Sequence, residues 1–197
     1  MGALGKVGAD SAAVGRASLD ERQAEVGRSL CRCHVCSGEK GGLAVGPTRR
    51  GKGTKILAIA ADNSLPLAVS VQSASPHESQ LVEEVLAGSF LDELPARLIG
   101  DRAYDSDTLD QRLKEEYDIE LIAPHRGQRR VRTQDGRKLR RYSRRWRVER
   151  LFAWLHWFRR LVTRYEYHIE NFLGMVRLAC IKLLLGYLLD VESTPLD

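Results

Sequence analysis

The sequence predicts an α/β domain in which a sheet is covered by helices, and three observations indicate this class. Two segments rich in Ile, Val, Leu and Ala, Thr54–Ala61 and Pro66–Ala74, have the composition of β-strands. The turn signal Asp62-Asn63-Ser64 lies between them, so we predict a hairpin and assign Asp62 to its turn rather than to a metal site. Downstream, short apolar segments alternate with segments of helical period, as in layered α/β domains.

The remaining elements follow from the hydrophobic period of each segment. In the predicted helix His77–Ser89, four aliphatic side chains recur on one face: Leu81, Val82, Val85 and Leu86. The segments after it predict, in chain order, a buried strand at Ala96–Gly100, an amphipathic helix at Ser106–Tyr117, a strand at Ile119–Ala123, a basic loop at His125–Arg141, and two helices at Tyr142–Val162 and His168–Leu189. A chain of 197 residues is long enough to bury one core of this kind.

The charge of the chain is unevenly distributed. The net charge is +5, yet residues 126–164 contain fifteen Lys or Arg and only two acidic residues, a local charge of +13, so the rest carries −8. A basic region on an otherwise acidic protein is typical of binding to a polyanion such as DNA. The alternative interpretation is a solvated Arg-rich helix surface.

The predicted helix Tyr142–Val162 carries a polar stripe beside an apolar face. At 100° per residue, four side chains fall within an arc of roughly 60°: Tyr142, Arg145, Glu149 and His156. A neighbouring face is apolar and should pack inward: Leu151, Leu155, Phe158 and Val162. A single carboxylate surrounded by arginines at the rim of a core suits a metal ion bound beside a phosphate.

Three ordered segments carry a resemblance to a known family. The spacing of Tyr142, Arg145 and Glu149 resembles the C-terminal signature of insertion-sequence transposases of the IS4/IS5 type, in which His156 stands where the signature often has Lys. The segment ARLIGDRAYDSDTL is similar to the one that carries the family's second catalytic Asp, here Asp101. The segment GPTRRGKGTKILAIAADNSLPLAVSVQSASPHES looks like the family's paired strands. The resemblance covers about residues 40–188.

This resemblance implies an RNase H-like fold and DNA cleavage followed by strand transfer. Two Mg²⁺ (or Mn²⁺) ions would activate the attacking oxygen and stabilise the leaving one, and Asp101 and Glu149 would be catalytic metal ligands. The implied DNA-binding residues are Tyr142, Arg145, His156, Arg140, Arg141, Lys52 and Lys55. For Arg145 and His156 the alternative is simple pairing with Glu149, and for the two lysines it is a solvated turn. The active form is expected to be a homo-oligomer on DNA.

The sequence lacks one carboxylate that the resemblance requires. Counting back from the Gly-rich link places the family's first catalytic Asp near position 32, which here is Arg32, within LCRCHVC. We therefore expect the domain to lack its first β-strand, residues 1–40 to be disordered or translated out of frame, residues 41–190 to be the catalytic domain and residues 191–197 a tail. This copy is then inactive unless Glu39 or Asp62 completes the site.

Two other functions are consistent with the same residues. The chain is either a catalytically dead DNA-binding remnant or regulator of transposition, or a nonspecific RNase H-like nuclease of another lineage. Metal-dependent nicking of DNA separates an enzyme from a remnant, and strand-transfer products separate a transposase from a nuclease.

The cysteines and the apolar segments indicate the cellular compartment of the protein. A zinc ion could be bound by Cys31, Cys33, His34 and Cys36, but these four ligands lie within six residues. Structural zinc sites normally take pairs of ligands from separate elements, so this arrangement would be cramped. The role of these residues stays open. No secretory signal is evident. The apolar stretch Leu178–Leu189 is short and contains Lys182, so we predict a buried helix, no membrane span, and a cytoplasmic, nucleoid-associated bacterial protein.

Overall fold

The computed structural model describes residues 28–38, 42–48, 51–127, 129 and 140–192. Within these ranges, seven strands form one mixed sheet: β1 (Ser29–Gly38), β2 (Gly46–Thr48), β3 (Gly51–Ala60), β4 (Pro66–Ser73), β5 (Arg97–Ile99), β6 (Glu120–Ile122) and β7 (Thr163–Arg164). Five α-helices accompany them: α1 (Val82–Ala87), α2 (Asp107–Tyr117), α3 (Trp146–Leu155), α4 (Arg159–Val162) and α5 (Ile169–Glu192). Three 3₁₀ turns lie at Glu78–Gln80, Arg102–Tyr104 and Arg140–Arg145.

The sheet has the strand order expected of an RNase H-like domain. Strand β3 pairs antiparallel with both β1 and β4, while β5 pairs parallel with β1, and β6 pairs parallel with β5. Three antiparallel strands followed by two parallel ones confirm the predicted α/β class. The hairpin predicted around Asp62 is also confirmed, since β3 pairs antiparallel with β4 from Thr54 to Ala60.

The first strand is present, which corrects the expectation that the domain lacks it. The segment SLCRCHVCSG forms β1, a ten-residue strand between β3 and β5. It pairs residue by residue with β3 from Leu30 to Ser37. The sheet therefore starts well before the boundary predicted at residue 41, and Arg32 lies at its centre. Residues 1–27 are outside the described part of the chain, as are 193–197 of the predicted tail; α5 continues to Glu192.

Strand alternation divides the cysteines of β1 between the two faces of the sheet. Successive side chains of a strand point to opposite faces of the sheet, and Cys31 and Cys36 belong to different core clusters. The Cys31 thiol donates to the Tyr104 hydroxyl at 3.4 Å, and the Cys36 thiol donates to the Leu161 carbonyl at 2.9 Å. Within the described ranges, no group of three or more His, Cys, Asp or Glu side chains is arranged to hold a metal ion.

The sheet separates two cores. One face is covered by α3 and α5 and buries Leu30, Leu151 and Phe172, among others. The opposite face is covered by α1 and α2 and includes Leu57, Val85 and Leu113. Because both faces of the central strands are covered, β3 is buried along most of its length, as is typical of a sheet between two helix layers.

The predicted helix Tyr142–Val162 is divided in the structure. Tyr142 and Arg145 lie in the 3₁₀ turn, α3 ends at Leu155, and the backbone is extended at Phe158 before the short α4 begins. Leu151 and Leu155 are buried as predicted. The other two residues of the predicted apolar face are less buried than expected: Phe158 is only partly buried against the core, and Val162 is 46% exposed.

Helix α5 is buried in its first half and exposed in its second. On one face of the first half, Phe172, Val176 and Cys180 are fully buried, whereas Leu185 and Leu189 in the second half are 53% and 65% exposed. The prediction that Leu178–Leu189 is a buried helix is therefore wrong. In the described part of the chain, Ile169–Leu189 is one helix with the length and apolar composition of a membrane span, at a mean hydropathy of 1.9. Core helices of soluble proteins share these properties. Here one face of the first half of the helix packs in the core.

Candidate active site

Asp101 lies at the end of a central strand, as the sequence predicted. It follows β5 and caps the 3₁₀ turn Arg102–Tyr104, and its Oδ1 accepts a hydrogen bond from the Ala103 N–H at 2.8 Å. Strands β1 and β5 are parallel, and Leu30 is paired with Ile99. Continuing this register by two residues sets Arg32 level with Asp101. The position at which counting placed the missing carboxylate is therefore on the strand that pairs with β5, two residues beyond the last paired residue, Leu30.

Glu149 is held between two arginines. It lies in the first turn of α3, where its Oε1 accepts from Arg145 Nε at 2.9 Å and from Arg32 Nη1 at 2.5 Å. Arg145 also donates from Nη1 to the Tyr142 hydroxyl at 2.6 Å. We call Arg32, Glu149 and Arg145 the arginine–glutamate cluster. It joins the central strand to α3 and gives the region a net positive charge.

An open cleft of about 410 Å³ lies beside this cluster. Asp101, Arg102 and Ala103 line one part of it, and Pro124, Tyr142 and Arg145 line the rest. Three residues that the sequence singled out, Asp101, Tyr142 and Arg145, thus share one cleft, and Arg145 connects it to Glu149. Their roles in catalysis and DNA binding remain predictions.

The residues present do not fit a pair of divalent metal ions. Such a centre needs several carboxylate oxygens directed at the ions, but Arg32 occupies one expected position and Glu149 is neutralised by two guanidinium groups. Asp62, an alternative third carboxylate, forms ion pairs with Arg144 and Arg147 instead. Glu39, the other alternative, lies outside the described residues.

One acidic neighbour of Asp101, Glu78, was not among the residues predicted from the sequence. Glu78 lies in the 3₁₀ turn after β4, and burial, followed by the nearby Asp101 charge, raises the pKa of its carboxyl. Burial, followed by the Glu78 charge, also raises the pKa of the Cys33 thiol on β1. These groups lie against the sheet on the side opposite to Glu149, so no local sequence pattern connects them.

His156 is packed against β1. Its ring centroid lies 4.2 Å from that of His34, and its buried Nε2 has no hydrogen-bond partner among the described residues. Burial lowers the pKa of His156; burial, followed by the charges of His156 and Arg32, lowers that of His34 to about 4. Both imidazoles are therefore neutral at pH 7, which does not support a phosphate contact by His156.

The other predicted DNA contacts differ in their exposure. Lys55 is buried, and its Nζ donates to the Pro76 carbonyl at 2.5 Å, so the expectation that it contacts DNA is not met. Lys52 is exposed near the start of β3, opposite Pro47. Arg140 and Arg141 begin the 3₁₀ turn, but their side chains lie outside the described part.

Part of the basic region serves the fold itself. Arg144 and Arg147 bind Asp62, and Arg150 Nε donates to the Ser64 hydroxyl at 3.0 Å. Arg164 is 1% exposed. These four arginines are held by contacts within the domain, which neither the DNA-binding interpretation nor the alternative of a solvated Arg-rich surface anticipated.

Two comparisons with known proteins bear on this site. Residues 39–184 match the family model described as "Transposase DDE domain". The chain is also similar to a protein of Burkholderia cepacia named "Putative transposase for insertion sequence element IS402", with 33% identity over 144 residues. The alignment covers 68% of this chain and 64% of that protein, so the chain spans less than two thirds of the length of this relative.

Proposed function

Since the chain belongs to the DDE transposase family of insertion sequences, we propose that it binds transposon-end DNA without cleaving it. The observation that carries this proposal is the ion pair between Arg32 and Glu149, at the place where the family is expected to have two metal-binding carboxylates. DDE transposases generally use divalent metal ions for strand cleavage and transfer. The assignment to the IS4/IS5 branch, and to Mg²⁺ or Mn²⁺, remains a prediction.

A guanidinium at this position opposes metal binding in two ways. It adds a positive charge where divalent cations would otherwise be attracted, and it occupies oxygen of the Glu149 carboxylate that would otherwise be a ligand. Arg145 occupies the same oxygen. Asp101 alone then faces the cleft, and a single carboxylate is too few for the two-ion mechanism.

The arginines that oppose metal binding favour the binding of phosphate. Arg145 is oriented by both Tyr142 and Glu149, and a guanidinium fixed in this way matches the geometry of a phosphate group. Because the positive charge comes from arginines and not from metal ions, DNA binding should be unaffected by EDTA. It should weaken steeply with salt, with a log–log slope of about −0.9 for each phosphate contacted.

The decisive experiment restores the missing carboxylate with Arg32→Asp. The substrate is a supercoiled plasmid carrying the two ends of the insertion sequence, assayed for nicks and joined ends with Mg²⁺ and with Mn²⁺. We expect no cleavage by the original chain and metal-dependent nicking by Arg32→Asp. Mn²⁺ should also raise the melting temperature of that variant but not of the original chain, because a ligand of the folded state stabilises it.

Two further variants make this experiment specific. Arg32→Ala removes the guanidinium without supplying a ligand and should stay inactive. Arg32→Asp combined with Glu149→Gln should lose the restored nicking. Cleavage and strand transfer by the original chain would overturn the proposal and return the function to that of an active transposase, whereas nicking without end joining would favour the nonspecific nuclease.

A chain that binds ends without cutting them would act as a regulator. It would compete with active copies for the same DNA, as a homo-oligomer or within mixed oligomers. Members of this family are normally soluble and cytoplasmic, and DNA binding would place this chain at the nucleoid. Co-expression with an active copy of the element should lower its transposition frequency, and a copy of this chain that cannot bind DNA should not.

A further inference from the structure

Asp105 is an enclosed carboxylate close to the cleft, and the function proposed above does not use it. Its side chain is 4% exposed. One oxygen, Oδ1, accepts from His125 Nδ1 at 2.9 Å and from Arg129 Nη1 at 2.5 Å, and the other, Oδ2, accepts from the Arg126 backbone N–H at 2.7 Å. Burial opposes the charged form, but the hydrogen bonds from Arg126 and His125 together with the charges of Arg129 and His125 hold the pKa of Asp105 below its usual value.

The side chain of Arg126 is in turn attached to the segment that follows Asp101. Its Nε donates to the Arg102 carbonyl at 3.2 Å and its Nη2 to the Ala103 carbonyl at 3.3 Å. Nη2 also lies 3.1 Å from His77 Nε2. Arg126 nevertheless remains exposed to solvent, so its guanidinium is fixed in place and still accessible.

These contacts connect the turn that follows Asp101 to the basic segment that follows β6. Asp101 caps the N-terminal end of the turn Arg102–Tyr104, and Asp105 caps its C-terminal end. Through Asp105, the start of the basic segment after β6 is attached to this same turn. An arginine held against the turn that follows Asp101, with its conformational freedom already reduced, needs less ordering when it binds a phosphate.

We propose that Arg126 contacts the DNA backbone beside the cleft and that Asp105 is the residue that positions it. This inference rests on the DNA binding proposed above. The ligand is a phosphodiester of the duplex, which Arg126 recognises by charge and by its planar guanidinium. Asp105 itself does not touch DNA; it acts through the backbone of Arg126.

The sign of the effect separates positioning from simple electrostatics. Asp105→Asn removes a negative charge near a polyanion, which by itself would tighten DNA binding. If Asp105 positions Arg126, the same change should weaken binding instead. Asp107→Asn is the matched control. Asp107 lies two residues after Asp105, its side chain is 74% exposed, and the substitution removes the same negative charge.

Binding is measured by fluorescence anisotropy with a duplex that carries the transposon end, over a series of salt concentrations. We expect Asp105→Asn to weaken binding by about 3- to 10-fold and to reduce the salt slope by about 0.9, the value of one lost phosphate contact. Asp107→Asn should bind equally well or more tightly, with an unchanged slope. Melting temperatures establish that each variant is folded.

Arg126→Ala tests the inference independently of Asp105. This side chain is exposed, so the variant should fold, and it should lose the same phosphate contact. In the double variant, Asp105→Asn should add no further loss, because neighbouring residues that act through one contact are not additive. Wild-type-like affinity and slope for Arg126→Ala, or additive losses in the double variant, would overturn the inference. If the original chain fails to bind DNA at all, the proposed function itself fails.

Discussion

Arg32 on the central strand and Glu149 on helix α3 form an ion pair with 2.5 Å between Nη1 and Oε1. Each side chain is 39% exposed, so the pair lies at the rim of the core rather than within it. Because the Glu149 oxygen also binds Arg145, the pair is part of a cluster with two positive charges and one negative charge. The surface around this cluster is therefore suited to an anion.

Removing the carboxylate that Arg32 and Arg145 share should strengthen DNA binding. In Glu149→Gln, a negative charge near the DNA is lost and Arg32 becomes available to phosphate, while Tyr142 still orients Arg145. We expect the affinity for duplex DNA to rise about 3- to 10-fold and the salt slope to steepen by about 0.9, equivalent to one further contact.

Glu115→Gln on α2 is the control, since Glu115 is exposed and accepts a hydrogen bond from Gln111 only within its own helix. This control should change affinity little. An unchanged or weaker affinity for Glu149→Gln would mean that the cluster does not face the DNA.

Arg164 should be needed for stability rather than for DNA binding. It is buried and donates to the carbonyls of Leu43, Ala44, Glu166 and Tyr167 and to the Thr54 hydroxyl. Arg164→Met would leave several of these acceptors without a partner, so we expect a loss of about 3 kcal/mol or more in the free energy of unfolding, measured with urea. Arg159→Met, an exposed neighbour on α4, should cost about 0.5 kcal/mol or less.

Local patterns were sufficient for the elements whose signals are local. The β3–β4 hairpin follows from its composition and turn residues, and Ser106 caps α2 through the Leu109 N–H, as its sequence position suggests. The position of Asp101 at a strand end also follows from a short apolar run. These features depend on residues close together in sequence, so their periodicity is visible without the fold.

Features that depend on distant contacts could not be predicted in this way. Strand β1 contains an arginine, a histidine and three cysteines, and only its pairing with β3 and β5 makes it a central strand. The break at Phe158 interrupts a helical pattern that continues in the sequence. The contacts of Asp105 join residues that are 20 to 24 positions apart. In each case tertiary structure overrides the local preference.

The two apolar residues Leu151 and Phe158 should differ in their contribution to stability. Leu151 is fully buried between α3 and the sheet, so Leu151→Ala should cost about 2–5 kcal/mol. Phe158 is only partly buried, so Phe158→Ala should fall below the roughly 3–5 kcal/mol expected for a fully buried phenylalanine. Urea unfolding of both variants tests this order, and a larger loss for Phe158→Ala would mean that the helix break packs more tightly than the structure indicates.

The neighbouring imidazoles of His34 and His156 should make the fold sensitive to acid. Burial, followed by the charges of His156 and Arg32, lowers the pKa of His34 from 6.5 to about 4, and burial lowers that of His156. Above pH 6.5 both states of the protein keep His34 neutral, so its contribution to stability is complete. As the pH falls from 6.5 towards 4, the unfolded chain binds a proton that the folded chain does not, and stability is lost.

His34→Phe should remove part of this dependence. We expect the original chain to lose about 1 kcal/mol more than this variant between pH 7 and pH 5, a figure reduced from the full pKa shift because His34 is partly exposed. Urea unfolding at both pH values gives the comparison, with His168→Gln as the exposed control, which should follow the original chain. Because other groups also titrate in this range, the test is the difference between proteins rather than the absolute change. Equal losses in the original chain and in His34→Phe would show that the imidazole of His34 is accessible to protons in the folded state.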